Sequence, residues 1–263
     1  MPNNFFKFCF IGDIVGKIGR KAVQKFLAEK KGEYSCVIAN GENSSGGKGI
    51  SPRHLEDLLS FGIHVITSGN HIWHQKDLLP YMDSYPIIRP SNYPPHTPGR
   101  GSMLWTSQSG VKVGIINLIG RVFMEPLDCP FRKAEEEIDH LKNETDFLLV
   151  DFHAETTSEK IALGYFLDGK VTAIIGTHTH VQTNDLRILP NGTLFITDAG
   201  MTGPKESVIG VDYHIIVEKY LTALPQYFEL PKDGEARLDY VEFTVDLLTK
   251  QVIQSKADHA YFP

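Results

Sequence analysis

Cysteine is scarce in this chain of 263 residues, and no block of Lys and Arg is present. The three cysteines, Cys9, Cys36 and Cys129, show no Cys-x-x-Cys spacing, which argues against a disulfide framework and against a zinc site made of thiolates. The formal net charge of −6 argues against a general nucleic-acid coat protein, and we expect no stable nucleic-acid complex. Bound metal ions could still attract phosphate.

Long hydrophobic segments and a standard phosphate-binding loop are missing as well. The apolar run at residues 5–11 is short and contains Lys7, so it predicts a first strand and neither a signal peptide nor a membrane span. The Gly-rich residues 46–49 lack the GxxxxGK[ST] spacing. We therefore expect a cytoplasmic protein without membrane contact, in which Cys9 and Cys36 are buried thiols.

The hydrophobic content of 41% and the charged content of 22% are ordinary for a globular protein, and the length suits one α/β domain over residues 1–263. Strand-like and helix-like patterns alternate, which predicts a mainly parallel sheet. The predicted strands are residues 6–11, 36–39, 63–67, 111–119, 147–152, 171–175 and 193–197, and the predicted helices are residues 16–30, 52–60 and about 134–142. Residues 238–248 and 251–255 resemble an antiparallel pair, so we expect a mixed sheet.

One connection between these elements is unusually long. Residues 86–101 are rich in Pro and Gly and show no helical or strand period. A loop of this length in a compact domain is often functional, as a lid or a wall of a substrate site. A plain surface crossover explains the same composition equally well, and the sequence leaves both interpretations open.

Five short segments that end apolar runs carry side chains that bind metals. They are Gly12-Asp13, Gly41-Glu42-Asn43, Gly69-Asn70-His71, Asp151-Phe152-His153 and Gly176-Thr177-His178-Thr179-His180. The carboxyl ends of strands form the edge at which open α/β sheets bind ligands, so we expect these segments to converge. On extended backbone, His178 and His180 would point their imidazoles in the same direction.

The donor set indicates which metals fit. Carboxylate, amide and imidazole groups without thiolate suit Mn²⁺, Fe or Zn²⁺. The donors outnumber the needs of one ion, and two ions roughly 3.5–4 Å apart would use the set well. Taken alone, Asp13 is also typical of a turn or a helix cap, and Asn43 of a hydrogen bond within its loop.

The motifs around these residues resemble a known family. They are residues 10–16 (FIGDIVG), 40–43 (NGEN), 69–71 (GNH), 151–155 (DFHAE), 176–183 (GTHTHVQT) and 197–204 (TDAGMTGP). Their order is similar to that of the calcineurin-like metallophosphoesterases, and in detail to the YmdB-type bacterial branch, over nearly the whole chain. The resemblance implies a four-layer α/β/β/α sandwich with mixed sheets and a 2′,3′-cyclic-nucleotide phosphodiesterase.

The resemblance also implies a division of the ligands between two ions. Glu42 takes the place of the carboxylate that bridges both ions. The ligands of the first ion would be Asp13, Asn43 and His180, and those of the second Asn70, His153 and His178. A metal-bridging hydroxide would attack phosphorus, and His71 resembles the general acid that protonates the leaving oxygen.

Two positions depart from the wider superfamily. Val15 stands where the usual Asp-x-His motif has its His, and Glu42 replaces the usual bridging Asp. Because the YmdB-type branch shares both departures, they favour that branch, and the oxygen-rich first position favours Fe or Mn over zinc. The expected partner is a nucleotide or another small phosphodiester, and a homo-oligomer is compatible with the size. The alternatives are a phosphomonoesterase or nucleotidase, or a regulatory protein that binds metal and nucleotide with slow turnover.

Overall fold

The computed structural model describes residues 4–263, which form five α-helices and thirteen β-strands. The helices are α1 (Gly16–Glu29), α2 (Pro52–Ser60), α3 (Pro130–Leu141), α4 (Thr157–Leu167) and α5 (Tyr213–Thr222). The strands are β1 (Phe5–Ile11), β2 (Asp13–Ile14), β3 (Cys36–Asn40), β4 (Val65–Thr67), β5 (Ser102–Thr106), β6 (Lys112–Ile119), β7 (Phe147–His153), β8 (Ala173–Thr177), β9 (Arg187–Ile188), β10 (Leu194–Ile196), β11 (Met201–Pro204), β12 (Ala236–Asp246) and β13 (Val252–Phe262). Two short 3-10 helices cover Ile72–His74 and Lys76–Tyr81.

The strands build two mixed sheets. In the first, β1, β3 and β4 run parallel, and β12 pairs antiparallel with β1 and β11 along one edge and with β13 along the other. In the second, β6, β7, β8 and β10 run parallel, with β5 and β9 antiparallel at the two edges. The helical crossovers between parallel strands explain why both sheets are covered on their outer faces.

The alternation of side chains along the strands places the core between the sheets. Phe8 and Phe10 of β1 pack inward with residues of β7 and β12, where Phe8 lies 4.7 Å from Phe243 and 5.9 Å from Phe147, measured between ring centres. Their neighbours in sequence, Cys9 and Ile11, face the opposite way, toward α1. A third apolar cluster lies between the second sheet and helices α3 and α4.

The layers are therefore helix, sheet, sheet and helix, and the predicted four-layer α/β/β/α sandwich is confirmed. The predicted strands are present with bounds that shift by at most two residues, except that β13 runs to Phe262 instead of stopping at residue 255. Cys9 and Cys36 are buried and free, as expected. Among residues 4–263, no helix is both long and apolar enough to cross a membrane.

Residues 86–101 carry the chain from the first sheet to the second. Their first half is buried, and the Arg89 guanidinium donates hydrogen bonds to the carbonyls of Pro90, Ser91, Thr97 and Pro98. Asn92 bonds both the N–H and the C=O of Ile119 at the end of β6. These contacts make the first half a fixed crossover, and the second half, around His96, is exposed.

Candidate metal centre

The carboxyl ends of the parallel strands of both sheets meet at one end of the sandwich. Turns after β1, β3 and β4 supply residues from the first sheet, and the ends of β7 and β8 supply residues from the second. The contact is direct, since the Asn40 amide at the end of β3 donates to the Asp151 carboxylate on β7 at 3.2 Å. The five predicted ligand segments therefore converge.

The first group of converging atoms surrounds the ring of His153, which is fully buried. Its Nε2 lies 3.0 Å from Glu42 Oε1, 3.1 Å from Asn70 Oδ1 and 3.0 Å from His178 Nδ1. One carboxylate oxygen, one amide oxygen and two imidazole nitrogens thus lie within a small volume. Acceptor atoms that crowd together in this way are typical of a cation site, because the lone pairs need a positive charge between them.

Asp13 and His180 form the second group, and Asn43 follows Glu42 in the turn after β3. Asp13 Oδ2 accepts the backbone N–H of His178 at 3.2 Å, and Asp13 Oδ1 lies 3.7 Å from His180 Nε2. Asp13 Oδ1 and Asn43 Oδ1 are buried without a hydrogen-bond partner. Buried polar atoms are normally satisfied, so these two free oxygens fit a metal ion that completes them.

A backbone carbonyl orients the His180 ring so that it can bind a metal ion beside Asp13. Its Nδ1 lies 2.9 Å from the Ile209 carbonyl, so Nδ1 donates to that carbonyl and Nε2 is the ring nitrogen that faces Asp13. His153 is oriented in a similar way through Thr177. The Thr177 hydroxyl lies 2.9 Å from His153 Nδ1 and donates to Asp151 at 2.7 Å.

Burial and close charges shift the protonation equilibria of this centre. Burial raises the pKa of the Asp13 carboxyl. Burial disfavours charge on His153 as well, but the Glu42 and Asp13 carboxylates outweigh it and raise the pKa of His153 to about 9. Burial and the neighbouring His153 lower the pKa of His178 to about 3. The chain therefore concentrates negative charge here, and His153 is the group that compensates it.

The loop after β8 corrects one expectation. His178 and His180 are not on extended backbone, since β8 ends at Thr177 and their φ angles are 99° and 63°. Non-Gly residues in the left-handed region are uncommon and concentrate at functional sites. The turn brings the two imidazoles to different groups, one beside His153 and one beside Asp13.

A buried ion pair holds this turn. Asp198 accepts from the backbone N–H of Thr179 at 3.1 Å and from its hydroxyl at 2.7 Å. The same carboxylate pairs with Lys160 on α4 at 2.7 Å, and only 1% of the Lys160 side chain is exposed. Thr179 lies between the two histidines, so the pair fixes both. Neither residue was predicted to act in the site, although Asp198 lies within the motif at residues 197–204. No local pattern marks Lys160.

His71 lies beside the first group and is half-buried. Its backbone N–H donates to Glu42 Oε2 at 3.0 Å, and its ring Nδ1 is buried without a hydrogen-bond partner. Burial lowers the pKa of its imidazole. Gly69 makes the approach possible, because a Cβ at that position would lie 2.2 Å from the His153 ring and 2.4 Å from Glu42 Oε2.

Comparisons with known proteins show which family the chain is similar to. Residues 9–257 match the profile of a family described as YmdB-like protein. A 2′,3′-cyclic-nucleotide 2′-phosphodiesterase of Bacillus subtilis is 41% identical over 97% of this chain and 99% of its own length. A putative phosphatase/phosphodiesterase of Mycoplasma pneumoniae is 42% identical over 97% of this chain and 92% of its own.

Solved structures give the same result. A hypothetical protein from Thermus thermophilus superposes with a TM-score of 0.93 at 38% identity, over 98% of this chain and all of the other. A novel phosphatase from Mycoplasma pneumoniae superposes with a TM-score of 0.91 at 41% identity, over 99% of this chain and 95% of the other. With the profile match over most of the chain, these likenesses establish that the chain belongs to the YmdB-like family.

Proposed function

We propose that this chain is a dinuclear-metal phosphodiesterase that hydrolyses 2′,3′-cyclic nucleotides. The observation that carries the proposal is the convergence of side chains from both sheets around Glu42, His153 and His178, with buried oxygens of Asp13 and Asn43 left without a hydrogen-bond partner. The names of the relatives support phosphoester hydrolysis, and the name of the Bacillus subtilis relative supports cleavage of the bond to the 2′ oxygen.

The two groups of side chains would hold one ion each. Asp13, Asn43 and His180 would bind the first, Asn70, His153 and His178 the second, and Glu42 would serve both. The oxygen-rich first group favours Fe or Mn. When bound, such ions make coordinated water acidic and neutralise the growing charge on the phosphoryl oxygens.

His71 would supply the proton that the leaving ribose oxygen needs. It lies at the edge of the Glu42 group, and its ring carries a buried Nδ1 without a partner. The Glu42 carboxylate accepts the His71 backbone N–H and so anchors the residue beside the ligands. A positioned general acid of this kind contributes roughly 10²–10⁴ to the rate.

The first test pairs metal analysis of freshly purified protein with turnover of 2′,3′-cAMP and 3′,5′-cAMP. We expect about two transition-metal ions per chain, preference for the 2′,3′-cyclic substrate, and 3′-AMP as the product. His153→Ala and His178→Ala should abolish turnover, and the exposed His214→Ala should not. One ion or none, with no turnover after addition of Mn²⁺ or Fe²⁺, would contradict the proposal and favour a regulatory protein.

The role of His71 has a separate test through the leaving group. His71→Asn should slow hydrolysis of 2′,3′-cAMP by about 10²–10⁴-fold. A p-nitrophenyl phosphodiester should be affected much less, because its leaving group departs without a proton. Equal losses on both substrates would rule out His71 as the general acid and would indicate that His71 only orients the metal ligands.

A phosphomonoesterase is the second candidate, because the Mycoplasma relatives are named phosphatase/phosphodiesterase. The same two metal ions would support hydrolysis of a phosphomonoester. The rate on 3′-AMP, compared with that on 2′,3′-cAMP in one preparation, separates the two activities. Faster hydrolysis of the terminal phosphate would favour the monoesterase.

A further inference from the structure

Two aromatic side chains, Trp73 and Tyr93, meet beside His71 and have no part in the function proposed above. Their ring centres are 5.2 Å apart and their planes cross at 86°, which is the edge-to-face geometry that aromatic pairs prefer. Trp73 lies two residues after His71, in the 3-10 helix at Ile72–His74. Tyr93 lies in the connection at residues 86–101, for which the sequence leaves open a crossover or a wall of a substrate site.

The backbone next to Tyr93 is anchored to the end of β6. The Asn92 side chain bonds the N–H and the C=O of Ile119, each at 2.9 Å. One residue further, the Gly120 N–H donates to the His153 carbonyl at 2.9 Å. The aromatic pair therefore has one member fixed from each sheet, and both members lie beside the proposed metal ligands.

The Tyr93 hydroxyl is buried and has no hydrogen-bond partner among residues 4–263. Burial raises the pKa of this phenol, and the nearby Glu125 and Glu42 carboxylates act in the same direction. The hydroxyl is therefore a protonated donor at neutral pH. Because buried polar groups normally have a partner, the missing acceptor is a group that a bound ligand would supply.

Packing alone does not account for this side chain. Trp73 packs against the apolar cluster between the first sheet and its helices, and the Tyr93 ring closes the corner beside it. A phenylalanine at residue 93 would fill the same space without burying an unpaired hydroxyl, which costs free energy. The hydroxyl therefore indicates a contact beyond the protein's own atoms.

The proposed chemistry determines what passes this corner. His71 would protonate the 2′ oxygen, and that oxygen belongs to the ribose of the nucleotide. The nucleoside must therefore extend from the metal ligands across His71. Trp73 and Tyr93 lie on that side, and both are partly exposed. Nucleobases stack on aromatic side chains of this kind.

We propose that Trp73 and Tyr93 bind the nucleoside of the substrate, with the Tyr93 hydroxyl donating a hydrogen bond to it. The inference rests on the proposed function, because it takes a nucleotide to be the substrate. The pair contacts the nucleoside and not the phosphate, so it selects 2′,3′-cyclic nucleotides over phosphodiesters that have no base.

Binding to this pair can be measured apart from turnover. The chain has two tryptophans, and Trp105 on β5 lies at the opposite end of the sandwich, paired with Val113 near the start of β6. In Trp105→Phe, loaded with Mn²⁺, Trp73 is the only tryptophan. We expect 3′-AMP to quench its fluorescence by stacking, whereas inorganic phosphate should quench it much less.

The role of the hydroxyl is tested in the same background. Adding Tyr93→Phe removes one oxygen atom and should raise the dissociation constant of 3′-AMP about three- to tenfold, which is the usual effect of one lost hydrogen bond. The matched control is Tyr165→Phe on α4, where the tyrosine is 57% exposed. This control should leave the dissociation constant of 3′-AMP as it was.

Turnover gives a second measurement. Tyr93→Phe should raise the KM for 2′,3′-cAMP by a similar factor and change kcat less, because the contact forms in the ground state and the transition state alike. Trp73→Leu should raise the KM about tenfold or more, because stacking is lost. Both variants should lose much less activity on methyl p-nitrophenyl phosphate, which has no nucleoside.

The outcomes separate this inference from the proposed function. Equal quenching of Trp73 by inorganic phosphate and by 3′-AMP would overturn the inference. So would an enzyme that hydrolyses 2′,3′-cAMP with the same KM and the same 3′-AMP affinity after Tyr93→Phe. A wild type that binds 3′-AMP through Trp73 and Tyr93, yet does not hydrolyse 2′,3′-cAMP, would contradict the proposed function and support the nucleoside site.

Discussion

Glu42 and His153 meet where the two sheets meet, and each is positioned by atoms that do not touch the proposed ions. Glu42 accepts from the His71 backbone, and His153 is oriented by the Thr177 hydroxyl, which Asp151 orients in turn. A hydrogen bond on the far nitrogen of a ligand histidine fixes its tautomer and raises its basicity. We therefore expect Thr177 to support the proposed metal binding by His153, although it is not itself a proposed ligand.

Thr177→Val tests this contact with almost no change of shape. We expect affinity for the second ion to fall about 10–100-fold, because His153 loses its orienting partner. The control is Thr193→Val, another fully buried threonine, whose hydroxyl donates to Val171 at 2.7 Å at the other end of the sheet. Titration calorimetry with Mn²⁺ should show weaker binding in the first variant only. An unchanged Mn²⁺ affinity in Thr177→Val would show that Thr177 does not orient His153 for metal binding.

At the scale of elements, the strands position the site and the turns after them shape it. His64 illustrates how a turn is tied to a strand. The Val37 N–H at β3 donates to its Nδ1 at 2.9 Å, and burial lowers the pKa of the His64 imidazole below 6.5. The folded protein therefore binds this proton less readily than the unfolded chain does.

The sign of the resulting pH dependence follows from linkage. The stability that neutral His64 supports is fully present above about pH 6.5, the unfolded pKa, and is lost as the pH falls from there toward the lowered folded pKa. His64→Asn keeps an acceptor and removes the titration. Urea unfolding at pH 7.5 and 5.5 should show a smaller loss in the variant than in the wild type. The exposed His140→Asn should keep the wild-type loss, and equal losses in all three proteins would refute the assignment.

At the scale of the whole molecule, the centre joins the two sheets. Two buried carboxylates, Asp13 and Glu42, come from the first sheet, and the imidazoles of His153 and His178 come from the second. Ions bound between them would add cross-links that the inter-sheet core of Phe8, Phe147 and Phe243 does not provide.

Metal removal should therefore lower the thermal stability of the whole molecule. Free metal at 100 times its dissociation constant stabilises a protein by about 2.7 kcal/mol per site. We expect chelator to lower the Tm and Mn²⁺ to restore it, whereas His178→Ala should respond less to both. The measurement is calorimetry on the wild type and the variant. A Tm that chelator leaves unchanged would show that the ions do not link the sheets.

Local sequence determined much of the centre. Four of the five ligand segments consist of an apolar strand followed by a glycine turn, and both signals lie within a few residues. In the fifth, His153 is the last residue of the strand itself. Burial of Cys9 and Cys36, the order of strands and helices, and the family resemblance could be read in the same way, and the comparisons confirm the family. Two helices, α4 and α5, were not predicted, and α5 has an exposed apolar face that does not follow the usual pattern.

What the sequence by itself determined is the inventory: which residues can bind metal, which strands carry them, and which family the chain belongs to. Tertiary structure alone decided the rest. The Lys160–Asp198 pair, the Thr177–Asp151 contact and the left-handed turns at His178 and His180 depend on atoms that folding brings together from distant segments. Hydrogen bonds between distant segments leave no period in a sequence, because the pattern of side chains along a strand records only which face is buried.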